Sequence, residues 1–353
     1  VPELDQLLTH LKENGGSDLH LAAGLEPRIR MHGGLEPVPG WEKLSDERLR
    51  ALLRELASER HWSAYEEEHD ADFAYGLEGV ARFRANFFVQ ENGAGAVFRV
   101  IPERIVPLEE LSLPAAIEKL AHLEKGLVVV TGPTGSGKST TLAAIIDKIN
   151  RTYARHIVTI EDPVEFVHQN KKSVISHREI GEHSNSFSAA LRATVRQDAD
   201  VVLVGEMRDR ETIQMAITAA EMGLLVFGTL HTNGAAKTVD RIIDAFPARE
   251  QSQIRVSLSE SLVAVVSQLL LPGSAGGRVA ANEILLRTSG LPNLIREGNT
   301  PMIGSVIQSG KQEGMQSMDD ALMALVERRR IKGRDAYLKA SDKARFEKLA
   351  GER

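Results

Sequence analysis

The stretch Gly132 to Thr141 reads GPTGSGKSTT and fits the phosphate-loop pattern G-x-x-x-x-G-K-[ST] without deviation. Its glycines let backbone N–H groups turn inward around phosphate oxygens, and a helix starting at its end points its positive pole at the same charge. The flanks supply the setting. GLVVVT before it reads as a buried strand, and Leu142, Ile145, Ile146 and Ile149 after it fall on one helical face. Gly132, Pro133, Thr134, Gly135, Ser136, Gly137, Lys138, Ser139 and Thr140 are therefore assigned to an ATP site. Lys138 is expected to reach the β- and γ-phosphates, and the Ser139 hydroxyl to ligate Mg²⁺.

Outward from this loop the chain alternates. HIVTI, VVLV and LLVFGT are further strand candidates separated by helical stretches, which predicts a parallel sheet with helices on both faces. Strands of such a sheet deliver the residues that follow them to one edge, where ligands bind. After VVLV come Gly205 and Glu206, one residue later than the aspartate usual in this setting; Glu206 is assigned to the magnesium shell through water. After HIVTI comes Glu161, assigned to orient or deprotonate the attacking water, although the two roles are exchangeable. Asp162 and Glu165 are open to a second reading, as caps of the turn at Pro163. His231 follows the third strand as a γ-phosphate contact or sensor, with Thr229 and Thr232 offering hydroxyls.

The first hundred residues have another rhythm. Leu4, Leu7, Leu8 and Leu11 keep helical spacing, as do Leu49, Leu52, Leu53 and Leu56. SDLHLAA, PRIRMHG, ADFAYGL, VARFRANFFVQ and GAVFRVIP read as strands, giving a small α+β domain with a largely antiparallel sheet. Prolines near Ile101 to Pro107 mark its edge, so residues 1–107 form one domain with its linker and residues 108–353 the second. Beyond Pro247 the pattern is mostly helical, with Ile254, Leu258, Leu262 and Val266 along one amphipathic stretch.

Composition excludes several functions. No cysteine is present, which removes disulfides, cysteine nucleophiles and thiolate zinc sites. A net charge of -6 and aromatics at 5% argue against a nucleic-acid partner. The apolar run LVAVVSQLLL is too short for a membrane span and carries Ser267 and Gln268. VPELDQLLTHLKENGG reads as an amphipathic helix rather than a signal peptide, so a cytoplasmic protein is expected.

Taken together, GPTGSGKSTT, the acidic box IEDPVEF, the segment DADVVLVGEMRD and the histidine box GTLHTNGAAKTVDRI resemble the type II and type IV secretion ATPases in order and spacing. Within that superfamily the chain resembles the PilT family, the type IV pilus retraction ATPases, over nearly its whole length. LPNLIREGNT matches that branch's signature through Asn293, Leu294, Ile295, Arg296 and Glu297, with Leu291 and Pro292 in place of the usual small and basic residues. The resemblance implies a PAS-like N-terminal domain, a RecA-like ATPase domain and a homohexamer at the inner face of the cytoplasmic membrane. It implies an inner-membrane platform protein as partner, with an accessory retraction ATPase as a further one. It also implies that arginines of the first domain, here Arg84 and Arg99, with Arg82 nearby, act on a neighbour's nucleotide. The competing readings are an accessory or assembly ATPase of the same superfamily, a DNA translocase, and a nucleotide-gated adaptor.

Overall fold

The structure is a computed structural model and describes residues 2–102 and 104–351. The chain divides into two compact units, Val1–Arg104 with Asp162–Val167, and Ile105–Glu161 with His168–Arg353.

The first unit is built on strands β1 (Asp18–Ala22), β2 (Arg28–Met31), β3 (Gly34–Pro37), β4 (Asp70–Leu77), β5 (Ala81–Gln90) and β6 (Gly93–Ile101). They form an antiparallel sheet in the order β3-β2-β1-β6-β5-β4. Along β5, Ala81, Phe83, Ala85 and Phe87 are buried while Arg82, Arg84 and Asn86 face the other way, the period-two pattern of a sheet with one covered face. Helices Glu3–Glu13 and Asp46–Leu56 cover that face. The leucines read at helical spacing are their buried stripes, and they pack with Phe73, Phe83, Phe87 and Phe98. Strand β3, exposed along its length, carries no hydrophobic pattern and was not legible in the sequence.

The second unit contains β7 (Gly126–Thr131), β8 (His156–Glu161), β9 (Val174–Glu179), β10 (Val201–Val204), β11 (Leu225–Leu230), β12 (Leu262–Pro272) and β13 (Arg278–Leu286), in the order β13-β12-β7-β11-β10-β8-β9. All neighbours are parallel except β12 and β13, so the sheet is mixed rather than purely parallel. Both faces are buried. Val129, Val158, Val202 and Val204 belong to one core, and Val128, Val130, Ile157 and Val201 to the other. Helix Lys138–Thr152 contributes Leu142, Ile145, Ile146 and Ile149 to the second of these.

One expectation fails here. The helix after Pro247 ends at Ser261, and Leu262 and Val266 lie on strand β12 instead of continuing it. Ile254 and Leu258 are buried on the helix as read. Residues Leu262–Val266 are apolar and rich in valine, which suits a strand buried on both faces, and pairing with β7 overrides the helical spacing.

Candidate functional site

The phosphate loop leaves β7 at Thr131 and enters helix Lys138–Thr152. Gly132, Gly135 and Gly137 have φ of 141°, 76° and 84°, values that favour glycine. At Gly132 space is limiting as well, because a Cβ there would stand 2.2 Å from the Gln268 carbonyl oxygen. The Lys138 ammonium is buried and donates to the carbonyls of Gly132 at 2.8 Å and Pro133 at 3.1 Å. Ser139 and Thr140 lie half-buried in the first helical turn, and Pro133, Thr134 and Gly135 are exposed. A glycine cradle ahead of a helix N-terminus, with a lysine inside it, fits a polyphosphate. Among the described residues no group of three or more His, Asp and Glu side chains could hold a metal ion alone. A magnesium ion at this loop would rest on Ser139, waters and phosphate oxygens, which suits an ion that keeps much of its hydration.

The strand order decides which site residues meet. Adjacent strands β7, β11, β10 and β8 end along one edge, delivering in turn Gly132, His231, Glu206 and Glu161. Because β10 and β11 are neighbours, Glu206 Oε1 lies 3.0 Å from His231 Nε2. Its other oxygen accepts from Arg208 at 2.6 Å. Burial opposes ionisation of Glu206, but Arg208 and His231 outweigh it and hold the carboxyl below the usual range. These residues, with Met207, Leu230, Thr232 and Arg241, line a cleft of about 210 Å³.

Glu161, the last residue of β8, is buried. A Cβ at Gly205 would meet the Ile160 carbonyl oxygen at 3.2 Å and Glu161 Cα at 3.3 Å, a tight fit against the backbone of β8. The acid of this strand stands one residue later, at Glu206. Asp209, nearby in sequence, is a helix cap: its carboxylate accepts from the Thr212 amide and hydroxyl, each at 2.8 Å.

Thr229 and Thr232 also tie the strand ends together. Thr229 donates to the Gly205 carbonyl, joining β11 to β10. Thr232 bonds Thr131 at 2.7 Å and Thr238 at 2.8 Å, which ties the histidine loop to the end of β7.

In the first unit Arg84 pairs with Asp72, at 3.0 and 3.1 Å from Nε, and Arg99 with Asp18 at 2.7 Å. The Asp72 hydrogen bonds, against burial and with help from Glu165 and Asp162, stabilise the Arg84 guanidinium further. Arg82 donates to the Val164 carbonyl at 3.2 Å. The acidic box is thus divided: Glu161 ends β8, while Asp162–Val167 packs within the first unit.

Sequence reasoning missed Gln268 and Asn282. Gln268 is buried on β12 behind the phosphate loop and donates to the Ser136 carbonyl at 2.6 Å. Its signal was a glutamine inside an otherwise apolar strand, a group that must find hydrogen-bond partners when buried. The segment Leu291–Glu297 is a short helix with Leu291 and Ile295 buried and Arg296 and Glu297 exposed. Arg296 bonds Ser259 at 3.3 Å and also Asn293.

Residues 2–314 match the family described as type II/IV secretion system protein. The chain is 52% identical over 301 residues to a twitching motility protein of Neisseria gonorrhoeae, covering 85% of this chain and 80% of that protein. It is 48% identical over 338 residues to the type IV pilus retraction ATPase PilT of Pseudomonas aeruginosa, covering 96% of this chain and 98% of that one. Among solved structures, the pilus retraction motor PilT with bound ADP superposes with a TM-score of 0.90 at 43% identity, covering 98% of both chains.

Proposed function

The chain belongs to the type II/IV secretion system protein family, among its pilus retraction ATPases, and from that premise we propose that it works as a homohexameric ring whose ATP hydrolysis draws subunits out of a type IV pilus. The first unit is read as PAS-like and the second as RecA-like. The ring works at the inner face of the cytoplasmic membrane, against an inner-membrane platform protein and alongside an accessory retraction ATPase. No helix among the described residues is long and apolar enough to cross a membrane.

In this reading Gly132 to Thr140 hold ATP, and Ser139 and Glu206 hold Mg²⁺, the latter through water. The bound nucleotide supplies the phosphoryl group that is transferred to water. Glu161 orients that water from the end of β8, where its side chain is buried. Lys138 neutralises phosphate charge, and His231 reports on the γ-phosphate through its contact with Glu206. Arg84 and Arg99 complete a neighbour's site, where a guanidinium on γ-phosphate oxygens raises the rate by about 10³ to 10⁵.

The division of the acidic box carries the mechanical part of this reading. The backbone runs from the proposed catalytic carboxylate at Glu161 directly into six residues, Asp162–Val167, that pack with the first unit. A change at Glu161 on hydrolysis therefore acts on a segment anchored in the other unit.

The test is complementation in cells lacking the gene, which are expected to carry excess surface pili because assembly continues unopposed. The unsubstituted chain should restore retraction. A chain with Arg296→Ala and Glu297→Ala should form rings and hydrolyse ATP within about threefold of normal, since those side chains are exposed, yet fail to retract. Cells without the gene that bear no pili would point to an assembly ATPase instead. Normal retraction by the double variant would reduce Leu291–Glu297 to scaffold.

A further inference from the structure

We infer that Gln268 is a positioning residue for the phosphate loop, setting the peptide that precedes Lys138 and thereby the loop's grip on a nucleoside polyphosphate. The side chain lies on β12, the neighbour of β7, and is 1% exposed. Its amide makes three hydrogen bonds, which leaves one orientation. Nε2 donates to the Ser136 carbonyl at 2.6 Å, while Oε1 accepts from the Thr141 hydroxyl at 2.9 Å and from Asn282 Nδ2 at 3.0 Å. Reversing the amide would set its NH₂ against the Asn282 NH₂ and its oxygen against the Ser136 carbonyl.

The consequence for the loop follows from peptide geometry. In a planar trans peptide the carbonyl and the following N–H point in opposite directions. Holding the Ser136 carbonyl toward β12 therefore aims the Gly137 N–H away from it. Through Thr141 the same amide fixes the first turn of helix Lys138–Thr152, so the last loop peptide and the helix start share one anchor.

Steric contacts point the same way. A Cβ at Gly132 would meet the Gln268 carbonyl oxygen at 2.2 Å, and one at Gly137 would meet Gln268 Nε2 at 2.9 Å. Both ends of the loop thus rest against this one residue. Asn282, directly opposite Gln268 on β13, donates to the amide from behind, and the Asn282 backbone carbonyl accepts from the Gln316 side chain at 2.7 Å.

Such a residue acts on bound substrate and transition state alike, so its loss should appear in affinity rather than in turnover. Two variants of the full chain isolate the effect. Gln268→Met keeps the volume and removes all three bonds; Gln268→Glu keeps an acceptor for Thr141 and Asn282 but turns an oxygen toward the Ser136 carbonyl. Titration with a fluorescent ADP analogue in the presence of Mg²⁺ should show Kd raised at least about tenfold in both, the scale of one lost buried hydrogen bond. KM for ATP should rise in parallel, with kcat within about threefold of the unsubstituted chain. Should neither variant fold, Thr141→Val removes one of the three bonds and should raise the same Kd about threefold. A folded Gln268→Met chain that binds the analogue within about twofold of the unsubstituted Kd while its nucleotide-free melting temperature falls would overturn the proposal, as would unchanged affinity in Thr141→Val.

Discussion

Arg84 and Arg99 stand directly opposite each other on the antiparallel strands β5 and β6. Like charges in facing positions oppose sheet pairing, and each guanidinium is offset by its own carboxylate, Asp72 for Arg84 and Asp18 for Arg99. The two cations thus stand side by side on one sheet face, each held by a carboxylate of the same chain.

If these arginines complete a neighbour's site, Arg84→Ala and Lys138→Ala chains should each be nearly inactive alone. Mixed rings should recover a measurable share of phosphate release, because some interfaces then pair an intact phosphate loop with an intact arginine. The check is ATPase activity of verified mixed rings across mixing ratios. A flat, inactive response would remove the trans role, and activity independent of ring formation would place the arginines outside catalysis.

The two carboxylates at the strand edge separate by substitution. Glu161→Gln should leave nucleotide affinity within about threefold and lower kcat at least about hundredfold, the scale of a lost general base. Lys138→Ala should weaken binding itself. Glu206→Gln should raise the magnesium concentration needed for half-maximal activity, since its proposed role is in the metal's shell. Equilibrium binding, kcat and magnesium titration on the three variants read these apart. Turnover that survives in Glu161→Gln and disappears in Glu206→Gln would exchange the two assignments.

Stability of the second unit should depend on His168. This imidazole is 5% exposed, its Nδ1 has no hydrogen-bond partner, and its ring stacks on His177 at 5.9 Å. Burial, followed by His177, pushes its pKa down from 6.5 to about 4. Between those values the unfolded chain takes up a proton that the folded chain refuses. The stabilisation is therefore complete above the unfolded pKa near 6.5 and is lost as pH falls toward about 4. Urea unfolding at about pH 7.5 and about pH 5 should show a loss of about 2 kcal/mol attributable to this group. His168→Phe should lack that part of the loss; an equal loss in both chains would assign it to other groups.

The phosphate loop and most of the local structure were legible in the chain before folding. GPTGSGKSTT, the apolar strands around it and the leucine stripes are local patterns, and local patterns fix a phosphate loop, a strand or a covered helix face without reference to the rest of the chain. Where two such patterns competed, as from Leu262 onward, pairing with β7 settled the outcome.

Which of those residues meet depends instead on strand order. That Glu206 faces His231 follows from β10 lying beside β11, an order that no spacing along the chain encodes. That Gly205 fits closely against the backbone of β8 follows from β10 lying beside that strand. Gln268 reaches the phosphate loop across a separation of 132 residues from Ser136, because β12 inserts beside β7. Hydrogen bonds and close contacts across a sheet depend on strand order and register, and these are set by how the whole set of strands buries both faces at once.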